Sequence, residues 1–469
     1  MVFNSLHFLL FFLLVLPGVK CLNNHPFWRN IYLFLASLYF YACFKLAFLP
    51  LLFYVISISY VGGLLLAKHR TKLTIFIVII LTLLPLLFFK YSIFIASNLL
   101  CLPGLVGCAM PQWLENIVLP VGISFFTLQA LTYTIDIYRG KLAPNHNVIE
   151  VALAISFFPI LLSGPITRAR ELFPKFRTAL SFSVIDFVYS CELFIWGLFK
   201  KTVVAERLGQ YVDILYANPQ NYSGLSLAAG AIAYSLQIYC DFSGYSDMAI
   251  GTAKALGFSL PDNFRFPYFA TGIREFWKRW HISLTSWFTE YLYISCGGNR
   301  VSAPRWVVNI LLVFLVSGLW HGASWTFIIW GMLHGVFYLC EYGIGKKRLT
   351  TSHHWILLIL QAIITFIAVS FAWIFFRMPT LEGACTVISR IVCRLFEGKF
   401  YTTSSSFSFA LMVMVVIMAI VYECRLWRQS TNKTNIAPLN LVSLGWSLVL
   451  LLSVELMGIS SNQFVYFLF

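Results

Sequence analysis

Acidic side chains are scarce in this chain, with 18 Asp and Glu against 33 Lys and Arg in 469 residues, and charged residues make up only 11%. A soluble domain carries about 25% charged residues, so a soluble globular class is excluded. Alternating apolar and polar residues are also missing. The apolar runs are continuous, which argues against a transmembrane barrel. There is no Gly-x-Ser-x-Gly elbow, Walker loop, His-Glu-x-x-His or dinucleotide fingerprint. Hydrolase, ATPase, metalloprotease and dehydrogenase chemistry lose support accordingly. No metal-ligand spacing recurs among the 11 cysteines, so no metal site is expected. Most cysteines sit in apolar segments, where the thiol acts as a small hydrophobe. Cys101 and Cys108 flank a Leu-Pro-Gly-Leu-Val-Gly loop placed outside, and a disulfide could close there in an oxidising compartment.

What is present is apolar: 59% of the residues are hydrophobic. A spanning helix needs roughly 20 apolar residues, and about 11 to 13 segments qualify as membrane segments. The expected fold is an all-α polytopic membrane protein, re-entrant elements included. Candidate helices run at about 5–19, 30–45, 48–67, 73–90, 117–137, 182–199, 223–240, 307–320, 323–341, 355–375, 408–423 and 441–458. The net charge of +15 reads as cytoplasmic loops and contact with anionic lipid, not as a nucleic-acid interface. The basic loop Lys68-His-Arg-Thr-Lys72 belongs in the cytoplasm, and counting back three spans puts the N-terminus outside. The first segment lacks a basic n-region and a small-x-small cleavage site, so it reads as a retained helix.

Two stretches break the pattern. About Val151 to Gly164 is too short to cross and has basic residues on both flanks, which predicts a re-entrant hairpin broken at Pro159, Gly164 and Pro165. From Pro261 to Arg305 charge and aromatics rise together. There Ile273, Trp277, Trp280, Leu284, Trp287 and Tyr291 follow a helical spacing, which predicts one amphipathic helix at the interface or along a vestibule.

Histidines carry the chemistry. His281 lies in Arg-Trp-His-Ile-Ser and His321 in Leu-Trp-His-Gly. Imidazole titrates nearest neutral pH, and ionisable groups at membrane depth are functional candidates by default. His321, crowded by Trp320 and Trp325, fits a general base for an attacking hydroxyl; a core histidine bonded to a carbonyl is the plain alternative. His281 beside Arg279 and Trp280 is either a second site group or a headgroup anchor. His334 reads as structural, and His353 and His354 as solvated. Asp241 and Asp247 need buried partners, with Arg274 or Arg279 as candidates, and a structural network is favoured over direct chemistry. Gln129 lies in a polar stretch that packs helices or lines a tunnel.

These motifs resemble the membrane-bound O-acyltransferase family, in its bacterial alginate and peptidoglycan O-acetylation branch. The matching stretches are PVGISFFTLQALTYTIDIYRG from Pro120, FFPILLSGPITR from Phe157, YCDFSGYSDMAIG from Tyr239, NFRFPYFATGIREFWKRWHISLTSWFTEYLYISCGGNR from Asn263, and SGLWHGASWTFIIWGMLHG from Ser317. The resemblance implies one membrane-embedded domain over residues 1–469, with a motif core at 120–335, peripheral helices at 1–110 and 350–469, and a central funnel and tunnel. It maps the family's two histidines onto His281 and His321; Trp320, Trp325, Asp241, Asp247, Gln129, Arg279 and Trp280 are expected beside them, lining the tunnel or supporting it, from the reading of the residues above. It implies acyl transfer at the bacterial inner membrane from a thioester donor, acetyl-CoA, with no bound cofactor. An envelope polysaccharide would be the acceptor, reached with a periplasmic SGNH-type acyltransferase partner. D-alanyl transfer to teichoic acid, or a non-enzymatic transporter or export subunit, are the alternatives.

Overall fold

The computed structural model describes residues 1–100, 110–345, 355–403, 405–432 and 441–459. Cys101, Cys108, His353 and His354 lie outside the described residues. The described residues form helices and no strand beyond an isolated bridge of Tyr222 to Lys399. In order the helices are α1 (Leu6–Cys21), α2 (Pro26–Ala42), α3 (Leu49–Lys68), α4 (Lys72–Leu99), α5 (Gln112–Glu115), α6 (Ile123–Tyr138) and α7 (Val148–Ser156). Then come α8 (Phe158–Leu161), α9 (Ala169–Arg177), α10 (Val184–Phe199), α11 (Glu206–Ala217), α12 (Gly224–Ala255), α13 (Ile273–Arg279) and α14 (Ile282–Trp287). The last six are α15 (Ala303–His321), α16 (Trp325–Gly345), α17 (Trp355–Arg377), α18 (Leu381–Cys393), α19 (Ser406–Asn432) and α20 (Leu441–Met457). Among the described residues five helical stretches are long and apolar enough to cross a membrane: Leu46–Lys68, Lys72–Leu99, Ala303–His321, Trp355–Arg377 and Ser406–Ser430. The protein is therefore a multi-pass, all-α membrane protein. The other apolar helices among the expected segments are shorter, such as α1, or carry buried charge, such as α12.

Local chemistry sets the helix starts. Ser5, Thr71 and Thr380 accept a backbone N–H with their hydroxyls, and Asn147 accepts two with its amide oxygen. These bonds satisfy donors that a helix N-terminus leaves open.

The chain gathers into two compact units: residues 1–191 with 249–261, and 192–248 with 262–469. In the first, the buried guanidinium of Arg29 on α2 closes the end of α9. It donates to the carbonyls of Thr178 at 2.8 Å and of Lys175 and Phe176 at 3.0 Å. A cation among terminal carbonyls suits the negative end of the helix dipole. The expected hairpin is two short helices, α7 and α8, broken at Phe157 and buried from Glu150 onward. Gly164 follows, where a Cβ would meet the carbonyl oxygen of Pro159 at 2.3 Å, so only glycine fits.

In the second unit α15 and α16 form an antiparallel hairpin. Gly318 and Gly331 let the backbones approach: a Cβ on Gly331 would lie 2.3 Å from the oxygen of Phe314, and one on Gly318 2.4 Å from that of Phe327. Such small-residue contacts are how helices pack in lipid. Three sequence expectations are corrected here. The single amphipathic helix is broken into α13 and α14, because Trp280 is extended and His281 is left-handed, with φ 44°. Its aromatic seam faces the protein core and not an interface: Ile273, Trp277, Trp280, Leu284, Trp287 and Tyr291 are all buried. The helix expected to stop at residue 240 continues to Ala255, since its acids find partners inside the unit.

Gly331→Ala should destabilise the second unit by about 1–3 kcal/mol, the usual cost of overpacking. Thermal unfolding of the purified protein in detergent tests this, and an unchanged midpoint contradicts the packing described.

Candidate active site

His281 is the residue on which the backbone turns. Left-handed φ is rare for a residue with a Cβ and costs roughly 1–3 kcal/mol. Here the surroundings hold it. Ile282 donates its N–H to the carbonyl of Asn263 at 2.9 Å, and the Asn263 side chain reaches the ring. The amide oxygen of Asn263 accepts from the backbone N–H of Ser283 at 3.3 Å and its hydroxyl at 2.9 Å, and lies 3.0 Å from Nδ1 of His281. A backbone N–H can only donate, so this atom is the oxygen, and Nδ1 must carry the proton. The amide nitrogen of Asn263 donates to Ser246 at 3.1 Å. The neutral tautomer is thereby fixed, with the lone pair on Nε2. His281 is fully buried and lies outside the five spans, and burial lowers its imidazolium pKa to about 3. It is a neutral group at physiological pH.

His321 ends α15, buried. Its ring centroid is 6.4 Å from that of His281. Trp320 at 4.9 Å, Trp330 at 5.0 Å and Phe376 at 5.4 Å wall it. Trp320 also stands 5.9 Å from His281. Behind His281, Trp280 packs on Trp373 at 5.1 Å and Phe276 at 5.4 Å. The sequence motifs thus converge: two imidazoles share one aromatic chamber, away from bulk water, where polar interactions strengthen.

The remaining expected residues take different places. Asp241 and Asp247 pair with adjacent lysines of a π-helical turn, Lys200–Ala205. Lys201 lies 2.6 Å from Asp241 and 2.6 Å from Glu206, and Lys200 lies 2.6 Å from Asp247. The expected partners, Arg274 and Arg279, go elsewhere: Arg279 pairs with Glu275, and Arg274 lies over the rings of Tyr338 and Tyr342. The π-turn puts successive lysines where both acids can be met, a geometry no linear spacing advertises. Trp325 is 53% exposed at the start of α16 and is outside the chamber. Gln129 belongs to the first unit. Its buried amide nitrogen donates to the carbonyl of Ile160 at 3.3 Å, tying α6 to α8. His334 is buried against Phe276, Trp277 and Trp330. Among the described residues no cluster of His, Cys, Asp and Glu could hold a metal ion.

Sequence reasoning missed Asn263 and Ser283 as parts of the site, and Lys200, Lys201 and Glu206 as members of the ion-pair network of Asp241 and Asp247. The two lysines stand inside an apolar helix, which is itself a signal that partners exist.

A buried, water-poor chamber with a lone pair on a fixed imidazole and a second imidazole beside it is suited to moving a proton off a hydroxyl during group transfer. This defines a membrane-embedded transferase. The model of the membrane-bound O-acyltransferase family matches residues 141–378. A relative in Pseudomonas aeruginosa, "Probable alginate O-acetylase AlgI", is 38% identical over 85% of this chain and 75% of its own length. The peptidoglycan O-acetyltransferase of Helicobacter pylori is 36% identical over 79% of this chain and 75% of its own. The teichoic acid D-alanyltransferase of Bacillus subtilis is 27% identical over 56% and 69%. The chain belongs to the membrane-bound O-acyltransferase family, and it is an O-acyltransferase.

Two variants test this geometry. Asn263→Leu leaves the Nδ1–H of His281 unsatisfied and should lower acyl-transfer turnover at least about tenfold, the cost of one buried orphan donor. Asn263→Asp, which keeps an acceptor oxygen, should restore most of it. Equal activity in both variants contradicts the tautomer assignment. Lys201→Met strands the buried carboxylate of Asp241 and the partly buried one of Glu206 and should cost roughly 3–5 kcal/mol of stability, read from the unfolding midpoint.

Proposed function

We propose that the protein moves an acetyl group from cytoplasmic acetyl-CoA to a hydroxyl of an envelope polysaccharide on the other side of the bacterial inner membrane. The observation that carries this reading is the buried pair of imidazoles, His321 beside a tautomer-fixed His281. Relatives named for acetylating alginate and peptidoglycan support an envelope glycan as the acceptor class. A periplasmic SGNH-type acyltransferase works beside the protein at the polymer. The basic loop at residues 68–72 supports an N-terminus outside.

In the reaction, His321 takes the proton of the acceptor hydroxyl as the oxygen lone pair attacks the thioester carbonyl carbon. The tetrahedral intermediate collapses with cleavage of the C–S bond. A thiol with an ordinary pKa near 8.5 leaves readily, so no strong acid is required. The proton on His321 returns to the departing thiolate. His281, neutral and fixed, offers Nε2 as a hydrogen-bond acceptor that orients the hydroxyl or the second ring. The products are an ester and a free thiol, and His321 is regenerated.

His321→Ala should lower ester formation by about 100-fold or more, the lower range for general base catalysis. Ester-linked acetate and D-alanine on envelope polymers, measured at equal membrane abundance, decide the matter. Loss of acetate is the expected result. Loss of D-alanine places the chain with the teichoic acid enzymes. Unchanged esters contradict His321 as the base, and a transporter predicts that outcome.

A further inference from the structure

α19 is apolar until Glu423, its first charged residue, which Arg425 and Arg428 follow. Basic ends mark the cytoplasmic side of a span, so Glu423 lies toward that leaflet. Its carboxylate accepts a hydrogen bond from the hydroxyl of Tyr239. Among the described residues no basic side chain forms an ion pair with it. Lys200, on the wall of the same cavity, is engaged by Asp247 at 2.6 Å and by Ser243 at 2.8 Å. Two carboxylates, Asp247 and Glu423, therefore share the charge of one lysine. An acid at membrane depth is costly without a counter-charge, and here one positive charge is lacking.

The cavity that Glu423 lines has a volume of about 200 Å³ and lies within the second unit. Most of its remaining wall is aromatic: Trp196, Tyr239, Phe266, Tyr268 and Phe269. Two of these rings already attract a cation. Nζ of Lys200 lies 5.2 Å from the ring centroid of Trp196 and 5.6 Å from that of Tyr239. Ring faces beside a carboxylate form the surroundings that hold an organic ammonium ion. Phe266 stands in the left-handed region, with φ 50°, where a side chain with a Cβ is strained. Arg279 holds it there: its guanidinium donates to the carbonyl of Phe266 at 3.4 Å, and its own carbonyl accepts from the N–H of Arg265 at 2.9 Å.

The cavity faces lipid. Ile420 lines it and is 47% exposed on the spanning helix α19, and Ile417, one turn earlier, is 55% exposed. One turn beyond Glu423, Trp427 packs on Phe269 with ring centroids 5.6 Å apart. A tryptophan beside basic residues marks the level of the lipid head groups. The space suits the amine end of a head group and is too small for a whole lipid.

We propose that this cavity binds the primary ammonium of a zwitterionic membrane lipid of the phosphatidylethanolamine type, taken from the cytoplasmic leaflet, with Glu423 as counter-ion and the rings around it. A primary ammonium can donate a charge-assisted hydrogen bond to the carboxylate, which a quaternary ammonium cannot. The glycerol and the chains lie outside, against Ile417 and Ile420. An anionic head group brings no positive charge and meets two acids there.

Native mass spectrometry of the full chain, delipidated in detergent and titrated with phosphatidylethanolamine, phosphatidylcholine or phosphatidylglycerol of identical chains, tests this. Phosphatidylethanolamine should bind with a Kd at least about tenfold below that of phosphatidylglycerol, the worth of a desolvated cation on aromatic faces, and phosphatidylcholine should fall between them. Glu423→Gln keeps the shape and the acceptor for Tyr239 and should erase the preference, whereas Glu423→Asp retains it. N-acetylated phosphatidylethanolamine has lost the charge of its amine and should bind wild-type protein no better than phosphatidylglycerol, an arm that needs no variant to fold. Equal binding of the ethanolamine and glycerol lipids, or a preference that survives Glu423→Gln or N-acetylation, overturns the assignment. Glycerophosphoethanolamine at equal concentration should leave the lipid bound; displacement by this chain-free amine would overturn a membrane lipid as the source.

Discussion

The hydrogen bond between the amide oxygen of Asn263 and Nδ1 of His281 is the constraint on which the centre depends. It joins a loop residue to the one left-handed position between α13 and α14. Without it, His281 has no fixed tautomer and the break has less to hold it against the natural tendency of its neighbours to continue a helix. With it, a ring that would otherwise continue the seam of an amphipathic helix points into the chamber with His321. Strain in the backbone and order in the side chain are thus two sides of one arrangement.

The buried charges serve a second purpose. Lys200 and Lys201 reach two different acids because the helix widens into a π-turn where they lie. Buried pairs of this kind are not efficient sources of stability compared with apolar packing. Their value is positional: they fix α12 against the π-turn that leads into α11. The α15–α16 hairpin supplies a rigid wall, through glycines where a Cβ would press on the facing backbone.

Much of this was legible in the sequence. Continuous apolar runs gave the spans of α3, α4, α15, α17 and α19, because length and hydropathy are local properties. The two histidines stood out because imidazoles amid Trp and apolar residues are expensive. The partners of Asp241 and Asp247 were not legible, since pairing depends on a π-turn distant in sequence. Nor was the break at His281: its flanks keep a perfect helical spacing, and only Asn263, residing in another segment, shows why the helix stops. The exposure of Trp325 was equally hidden, because a tryptophan beside a motif histidine reads as a wall of the same chamber. Family resemblance located the motif but not these tertiary choices.

The central claim is that the acyl group crosses while its carrier stays behind. Proteoliposomes holding the protein in one orientation, with acetyl-CoA outside and a glycan acceptor sealed within, test it most directly. The account predicts acetyl ester in the lumen and free CoA thiol outside in equal amounts, both dependent on His321. CoA appearing in the lumen, or ester formed only on the side of the donor, would contradict it.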